Sequence, residues 1–447
     1  MLLRKIKMTL FLSCVVAIAM AQEQEKRLQI GGYGEAVMSR NFYSQSFNRY
    51  NAPERYKNDG SHGRFDLPHV TFSIGYNFGK GWSMGSEIEF EHGGTETAVE
   101  IEAEESGEYE AETEKGGEVA LEQFWLNKEF LAGKLNIKAG EIIVPVGYTN
   151  AHHEPLNFFT CYRPEGESTI LPSTWHQLGI SVWGRWGDWK YEAQFLSGLN
   201  SESFTGEKFV HQGATSPYEF KVANNYAVAA RVDNSSVKGL RVGISGYYGY
   251  TFRNSIKDPG ASYDDVKGAL AIIAADFQLK RWNWIVRGSI DYAALSDADK
   301  ISEYNKANST HHKYQDGNPF HNTNIGSNAL SYSLEAGYDI MTFFKSPSPS
   351  GRVGVGSLFV FGRFEHYNTM ASGTYKSQYK FCAPYRFAAG INYHPIKQIV
   401  VKAEYAYRYF KKPNNSGLNA DSPLYVQPYN NEPSINLCVA YQGMFKN

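Results

Sequence analysis

Along most of the chain, apolar and polar residues alternate one for one in segments of about ten residues. Val70, Phe72, Ile74, Tyr76 and Phe78 interleave with His69, Thr71, Ser73, Gly75 and Asn77. After Gly79-Lys80-Gly81 the alternation resumes through Trp82, Met84, Ile88 and Phe90. A period of two sends successive side chains to opposite faces of a strand, so this stretch reads as a hairpin with one apolar and one polar face. The unit recurs as Leu121 to Phe130 with Leu135 to Val146, Trp175 to Trp186 with Trp189 to Gly198, and Tyr226 to Val232 with Leu240 to Tyr250. It continues as Val266 to Lys280 with Trp284 to Leu295, and Tyr385 to His394 with Ile399 to Phe410. Leu28 to Met38 opens the series, Leu330 to Ile340 and Leu358 to Tyr367 stand between hairpins, and Ile435 to Phe445 closes it. The total is about 16 strands, and helical spacing is nearly absent.

The connections decide what kind of β-protein this is. Short turns alternate with long polar segments, roughly Ser39 to Gly63, Gly93 to Gly117, Tyr148 to Thr174, Leu199 to Asn224, Phe252 to Asp265, Ser296 to Asn328, Asn368 to Pro384 and Lys411 to Pro433. One junction, Met341 to Gly356, is longer than its class should be. A soluble sandwich also has many short strands, but it has no reason to keep long and short connections on alternate sides. In a transmembrane barrel every backbone polar group pairs inside the hydrocarbon, the sheet closes on an even strand number, short turns face the periplasm and long loops face outward. Trp82, Trp186, Trp189, Trp282 and Trp284 stand beside the short turns, where an aromatic girdle belongs. Ile435, Leu437, Val439, Tyr441 and Phe445 share one face of a final strand, in the manner of an outer-membrane assembly signal, although Lys446 and Asn447 follow and Gly443 interrupts the series. The expected fold is all-β: a transmembrane antiparallel β-barrel of about 16 strands.

The N-terminus supplies a compartment. Arg4, Lys5 and Lys7 precede the apolar run from Met8 to Met20, and Ala19-Met20-Ala21 offers small residues before Gln22. Residues 1–21 read as a secretory signal peptide and 22–447 as the barrel domain. A lipoprotein at Cys14 is the weaker alternative, because the apolar run continues past it. Cleavage leaves 41 Lys plus Arg against 46 Asp plus Glu, a mildly acidic exported chain with no pull toward nucleic acid. Beyond the leader no uncharged apolar run reaches the roughly 20 residues of a spanning helix. Cys161, Cys382 and Cys438 are too few and too scattered for a disulfide framework. An incidental pair such as Cys161 with Cys382 remains open, and no C-x-x-C metal spacing exists.

Several motifs carry a family resemblance. They are Leu121-Glu-Gln-Phe-Trp-Leu126, Ala139-Gly-Glu-Ile-Ile-Val-Pro-Val-Gly147, His153-Glu-Pro155, Tyr162-Arg-Pro164, Pro172-Ser-Thr-Trp175 and Gly179-Ile-Ser-Val-Trp-Gly184, joined later by Gly362-Arg-Phe-Glu365 and Gly390-Ile-Asn-Tyr-His-Pro395. Over about a fifth of the chain these resemble the phosphate-selective porin O and P family. The resemblance implies a 16-stranded outer-membrane channel, often a homotrimer, that passes small solutes. Phosphate selectivity does not transfer with it, because a phosphate channel needs a ladder of Arg and Lys along one path, and none is found. Register instead places mixed charges on the lumen face: Arg185, Arg231, Arg241, Arg287, Arg363, Arg386, Lys402 and Arg408 against Glu87, Glu89, Glu91, Glu192, Asp291, Glu335, Glu365 and Glu404. Of these, Arg287, Arg363, Glu365, Lys402, Glu404 and Arg408 are the leading candidates for lining residues.

Tyr148 to Thr174 is the third long segment, which in 16-stranded porins commonly folds inward. Glu154, Arg163 and Glu165 are therefore the candidate constriction; the alternative is that they only brace the loop against the wall. His152-His153 invites a zinc reading, but adjacent histidines do not converge as an i, i+4 helical pair does, and His311-His312 has no third ligand nearby. No metal or cofactor is expected. The acidic run from Glu96 to Glu118, with alternating Val99, Ile101 and Ala103, reads as a solvated loop or a hairpin rising above the membrane. H-E-x-x-H, G-x-S-x-G and Gly-rich phosphate loops are all missing, and Gly31-Gly32-Tyr33-Gly34 is explained by strand packing. The sequence thus points away from an enzyme and toward a passive, water-filled channel in the outer membrane, in contact with lipid and with small hydrophilic or ionic solutes. The competing expectation is a surface receptor or adhesin that uses the barrel as an anchor for its long loops.

Overall fold

The computed structural model describes residues 27–46, 49–50, 53–92, 97–101, 111–115, 118–216, 220–308, 324–344, 356–373, 382–411 and 431–446. The expected leader, the His311-His312 pair, the tip of the acidic run and most of the Met341 to Gly356 junction lie outside the described residues.

Sixteen described strands close into one antiparallel barrel. In chain order they are β1 Leu28–Asn41, β2 Val70–Gly79, β3 Trp82–Glu91, β4 Glu118–Phe130, β5 Leu135–Ile143, β6 His176–Trp186, β7 Trp189–Ser197 and β8 Tyr226–Asn234. They continue as β9 Leu240–Tyr250, β10 Ala269–Arg281, β11 Trp284–Leu295, β12 Asn328–Asp339, β13 Ser357–Ser372, β14 Tyr385–Ile396, β15 Ile399–Tyr409 and β16 Asn431–Lys446. Each strand pairs with the next, and the ring closes where β1 meets β16, with Gly34 opposite Tyr441. The other edge of β1 is shared, because Leu28–Gly34 pairs with β2 and Val37–Asn41 pairs with a short strand, His62–Asp66, inside the first long segment. The acidic run forms a separate two-stranded hairpin, Thr97–Ile101 with Ala111–Lys115.

The alternation is turned inside out relative to a soluble protein. Along β14, Phe387, Ile391 and Tyr393 are 43–48% exposed, while Arg386 and Asn392 are 7% and 2% exposed. The same holds around the ring: Ile180, Phe195, Val228, Ile244, Ile273, Ile290 and Leu437 all face outward. A continuous apolar belt of this extent is stable only against hydrocarbon. The five tryptophans beside the short turns are all exposed at one end of the belt. Turn chemistry at that end suits tight hairpins: Trp282 and Asn283, between β10 and β11, take φ of 53° and 64°, the left-handed pair whose twist matches the flanking strands. Among the described residues no helix is long and apolar enough to cross a membrane.

Two expected strand ends move for local reasons. The strand expected to run to Val146 stops at Ile143, because Pro145 has no N–H for the ladder. Val144 and Val146, both fully buried, lead the chain into the barrel instead. The strand expected from Val266 starts at Ala269, since Lys267 and Gly268 donate their N–H groups to the Asp297 carboxylate and Gly268 has φ 58°.

Candidate functional site

The chain from Val144 to Trp175 folds into the lumen and lies against the inner face of β11 to β16. Apolar contact starts the docking: Phe159 packs among Ile285, Phe359, Phe361, Ala388 and Ala406. Cys161 packs with Val37, Val400, Cys438 and Ala440. Backbone hydrogen bonds then fix it. Lys402 Nζ donates to the carbonyls of Pro155, Phe158 and Thr160 at 2.7, 3.1 and 2.8 Å. Loop N–H groups of Phe159, Cys161 and Gly166 donate to the carboxylates of Glu335, Glu404 and Glu365 at 3.4, 2.9 and 3.1 Å.

Those carboxylates belong to an ion-pair ladder that crosses six strands. Arg287 reaches Glu335 at 2.5 Å, Glu335 reaches Arg363 at 3.1 Å, and Arg363 reaches Glu365 at 3.3 Å. Arg386 then bridges Glu365 at 2.8 Å and Glu404 at 3.3 Å. Arg408 pairs with Glu432, which also holds Arg49 at 2.7 Å and accepts from Tyr50 Oη at 2.8 Å. Burial is affordable only because each charge has a partner and further hydrogen bonds. All six residues expected to line the lumen therefore sit on the inner face under the loop: five are bonded to it or to one another, and Arg287, paired with Glu335, lies 4.9 Å from the centroid of the loop's Phe159 ring.

The three candidate constriction residues separate. Arg163 is buried, with Nη1 donating to Ser173 Oγ at 3.3 Å and to Thr174 Oγ1, and Nη2 lying 3.9 Å from Glu89. Glu165, which starts the short helix α1 Glu165–Ile170, is held by Arg408 at 2.7 Å, Arg386 at 3.5 Å and the Tyr367 hydroxyl at 2.7 Å. Glu154 alone borders open space, its carboxylate steadied by the Asn157 amide at 2.6 Å. Glu167 ties the loop's entry, accepting from the Tyr148 and Asn150 N–H groups at 2.9 Å each.

That open space is a polar cavity of about 640 Å³ between the loop and the wall from β4 to β9. It runs from the β6–β7 turn at Gly187 and Asp188 to Ala151–Glu154 of the loop, and its walls carry both signs: Lys138, Arg185, Lys190, Arg231 and Arg241 against Glu154, Asp188, Glu192 and Asp233. Arg231 and Arg241 are each shared between Asp233 and Asp276 at 2.6–2.9 Å. A second cavity of about 360 Å³ lies against β1 to β4, and Gln123 borders both. On the loop, burial followed by the Arg241 and Arg231 charges holds His152 down to about 3, and burial and Arg163 lower His153. Both stay neutral at physiological pH.

On the long-loop side, segments after β7, β9 and β11 fold over part of the mouth. Leu199, Phe204, Phe209, Phe252, Val266, and Ile301 and Tyr304 of the helix α2 Ala298–Asn308 pack with Ile170, Leu171 and Trp175 of the inward loop. Sequence reasoning missed Arg49, Tyr50 and Glu432, which no local pattern marks. It also missed Glu122, for which a signal exists: outward Leu121 and Phe124 are three apart, and a bulge beside Glu87 lets both Glu122 and Gln123 fall between them.

No family model matches the chain. A protein of Aquifex aeolicus (strain VF5), described as uncharacterized, is 28% identical over 406 residues, covering 88% of this chain and 79% of that one. Among solved structures, the anion-selective porin from Comamonas acidovorans is similar with a TM-score of 0.51 at 10% identity, covering 93% of this chain and 99% of its own. Pseudomonas putida OprB, in its high-pH structure, gives 0.51 at 10% identity with 95% and 96% covered. Salmonella typhi OmpF, in complex with daunomycin, gives 0.50 at 11% identity with 93% and 98% covered. At such identities the likeness establishes the fold: a closed 16-strand antiparallel barrel of the outer-membrane porin type.

Proposed function

We propose that this chain is an outer-membrane channel for passive diffusion of small hydrophilic or ionic solutes, with its short turns in the periplasm and its long loops outside. The observation that carries this reading is the mixed-charge cavity between the inward loop and the β4–β9 wall, which gives water and solutes a polar route that a plugged anchor has no need of. Five cationic and four anionic side chains border it, so ion preference is weak. The arginines of the opposite wall add little to it, since each is paired with glutamate beneath the loop. That pairing also speaks against a phosphate ladder, although phosphate remains among the small anions that pass. Glu154 bounds the passage, while Arg163 and Glu165 hold the loop that narrows it. The exposed apolar belt meets outer-membrane lipid, the chain works without catalysis, and the assembly is a homotrimer, as the family resemblance suggests.

Swelling of liposomes that contain the refolded chain tests this reading. Swelling in isotonic sugar should be fast for a pentose and fall steeply for di- and trisaccharides. Correctly folded barrels that permit no swelling would overturn it and favour a receptor or adhesin.

A further inference from the structure

We propose that Glu87 on β3, Glu122 on β4 and His153 on the inward loop form a divalent-cation site that ties the loop to the barrel wall. One ligand-capable atom from each of the three lies within 4.8 Å of the other two. Ligands held tetrahedrally about 2.0–2.2 Å from a zinc ion are about 3.3–3.6 Å apart, so side-chain shifts of up to about 1 Å close the cage.

His153 is already set up as a ligand. Its Nδ1 lies 3.0 Å from the Asn150 carbonyl, which can only accept, so the ring proton sits on Nδ1 and the lone pair on Nε2. The neighbouring His152 takes no part, because it turns away and stacks on Tyr148 with ring centroids 4.9 Å apart.

The independent observation is an unsatisfied carboxylate. Glu122 is 1% exposed, and its Oε1 has no hydrogen-bond partner among the described residues. Its other oxygen accepts a long 3.4 Å bond from the Tyr33 hydroxyl, and its remaining neighbour is another acid, the Glu89 carboxyl. The nearest guanidinium, Arg163, has Nη2 3.9 Å from Glu89, and its Nε and Nη2 lack hydrogen-bond partners. Glu87, Glu89 and Glu122 thus crowd around the Arg163 charge, although Glu89 also bonds His69 at 2.5 Å and Glu35 has Lys402 as a further cation. A buried, half-satisfied carboxylate in such company is costly, and a bound divalent ion removes the cost.

An ion can reach the place and be held there. Glu87 borders the smaller lumen cavity and His153 the larger. One imidazole and two carboxylates suit Zn²⁺ over Ca²⁺ or Mg²⁺ and leave a fourth position for lumen water. Occupancy cancels two negative charges and fixes the loop at a point far from the ladder on β11 to β16.

Calorimetric titration of ZnCl₂ into the tag-free, refolded chain tests the site. The expected result is one ion per chain, with affinity reduced about tenfold or more by His153→Asn and by Glu122→Gln, and unchanged by His152→Asn. Binding that survives both His153→Asn and Glu122→Gln, or a folded chain that takes up no zinc, would overturn the proposal. Heat-modifiable gel mobility confirms folding of each variant; should Glu122→Gln fail to fold, His153→Asn, which leaves the wall intact, decides alone.

Discussion

Lys402→Met isolates the clamp that holds the inward loop. The ammonium is buried at 1% exposure, and its three hydrogen bonds all end on loop carbonyls. Methionine keeps most of the stem's volume and removes the ammonium, both its donors and its charge over the Phe158 ring. Each charge-assisted bond contributes about 1.5–3 kcal/mol, so the gross loss is about 5–9 kcal/mol. Removing a buried ammonium also relieves a desolvation cost of several kcal/mol, leaving a net weakening of loop docking of about 2–4 kcal/mol. At about 1.4 kcal/mol per decade, the population with a detached loop rises roughly thirty- to several-hundred-fold. Limited proteolysis of the vesicle-embedded chain measures that population, because cleavage inside 148–174 tracks local opening when reclosing is fast. Cleavage should accelerate by that factor and single-channel conductance should become larger and noisier. Lys138→Met is the control, since Lys138 meets Glu192 at 3.5 Å and the Trp125 ring on the same wall and, among the described residues, makes no hydrogen bond to the loop backbone. Cleavage and conductance of Lys402→Met both within twofold of the parent would refute the clamp.

The same proteolysis read against pH tests the loop histidines. His152 is held near 3 in the docked loop against an ordinary 6.5, so docking is fully favoured above pH 6.5 and weakens as pH falls below it, by up to about 2 kcal/mol at pH 5. Glu167, raised by burial, acts in the opposite sense. The His152→Gln variant, compared with the parent, should therefore show a shallower rise in cleavage between pH 6.5 and 5; identical slopes would count against the assignment. Ile244→Arg, at the middle of β9 on the outer face, should cost about 2–4 kcal/mol in urea unfolding from lipid vesicles, whereas a water-facing site would change by no more than about 0.5 kcal/mol. Cys161, Cys382 and Cys438 are 0–2% exposed, so maleimide should label none of them in the folded barrel and all three after unfolding.

The barrel was legible because lipid and lumen impose opposite demands on alternate residues, and that demand repeats sixteen times with little interruption. Local chemistry shortened two strands, at Pro145 and at Asp297, while others outran the alternation by a few residues, as at Ser372 and Asn431. Register assigns Arg287, Arg363, Glu365, Lys402, Glu404 and Arg408 to the inner face, and there the first five are buried and Arg408 is partly so. What register could not supply is what lies on top of them. The cover depends on contacts such as Cys161 with Glu404 and Gly166 with Glu365, separated by 243 and 199 residues. Such pairings leave no trace in a single sequence. The same applies to the carboxylate cluster at Glu122, where the three-residue step from Leu121 to Phe124 marks the bulge but not the residues that converge on it.

Current through single refolded chains in a planar bilayer, with the reversal potential taken under a salt gradient, bears most directly on the channel. Steady, long-lived openings with a reversal potential within a few millivolts of zero are expected of a passage bordered by nearly balanced charges. Correctly folded barrels that carry no current would contradict the channel itself. A strongly cation- or anion-selective current would contradict the balance of charge around Glu154 on which the proposed passage rests.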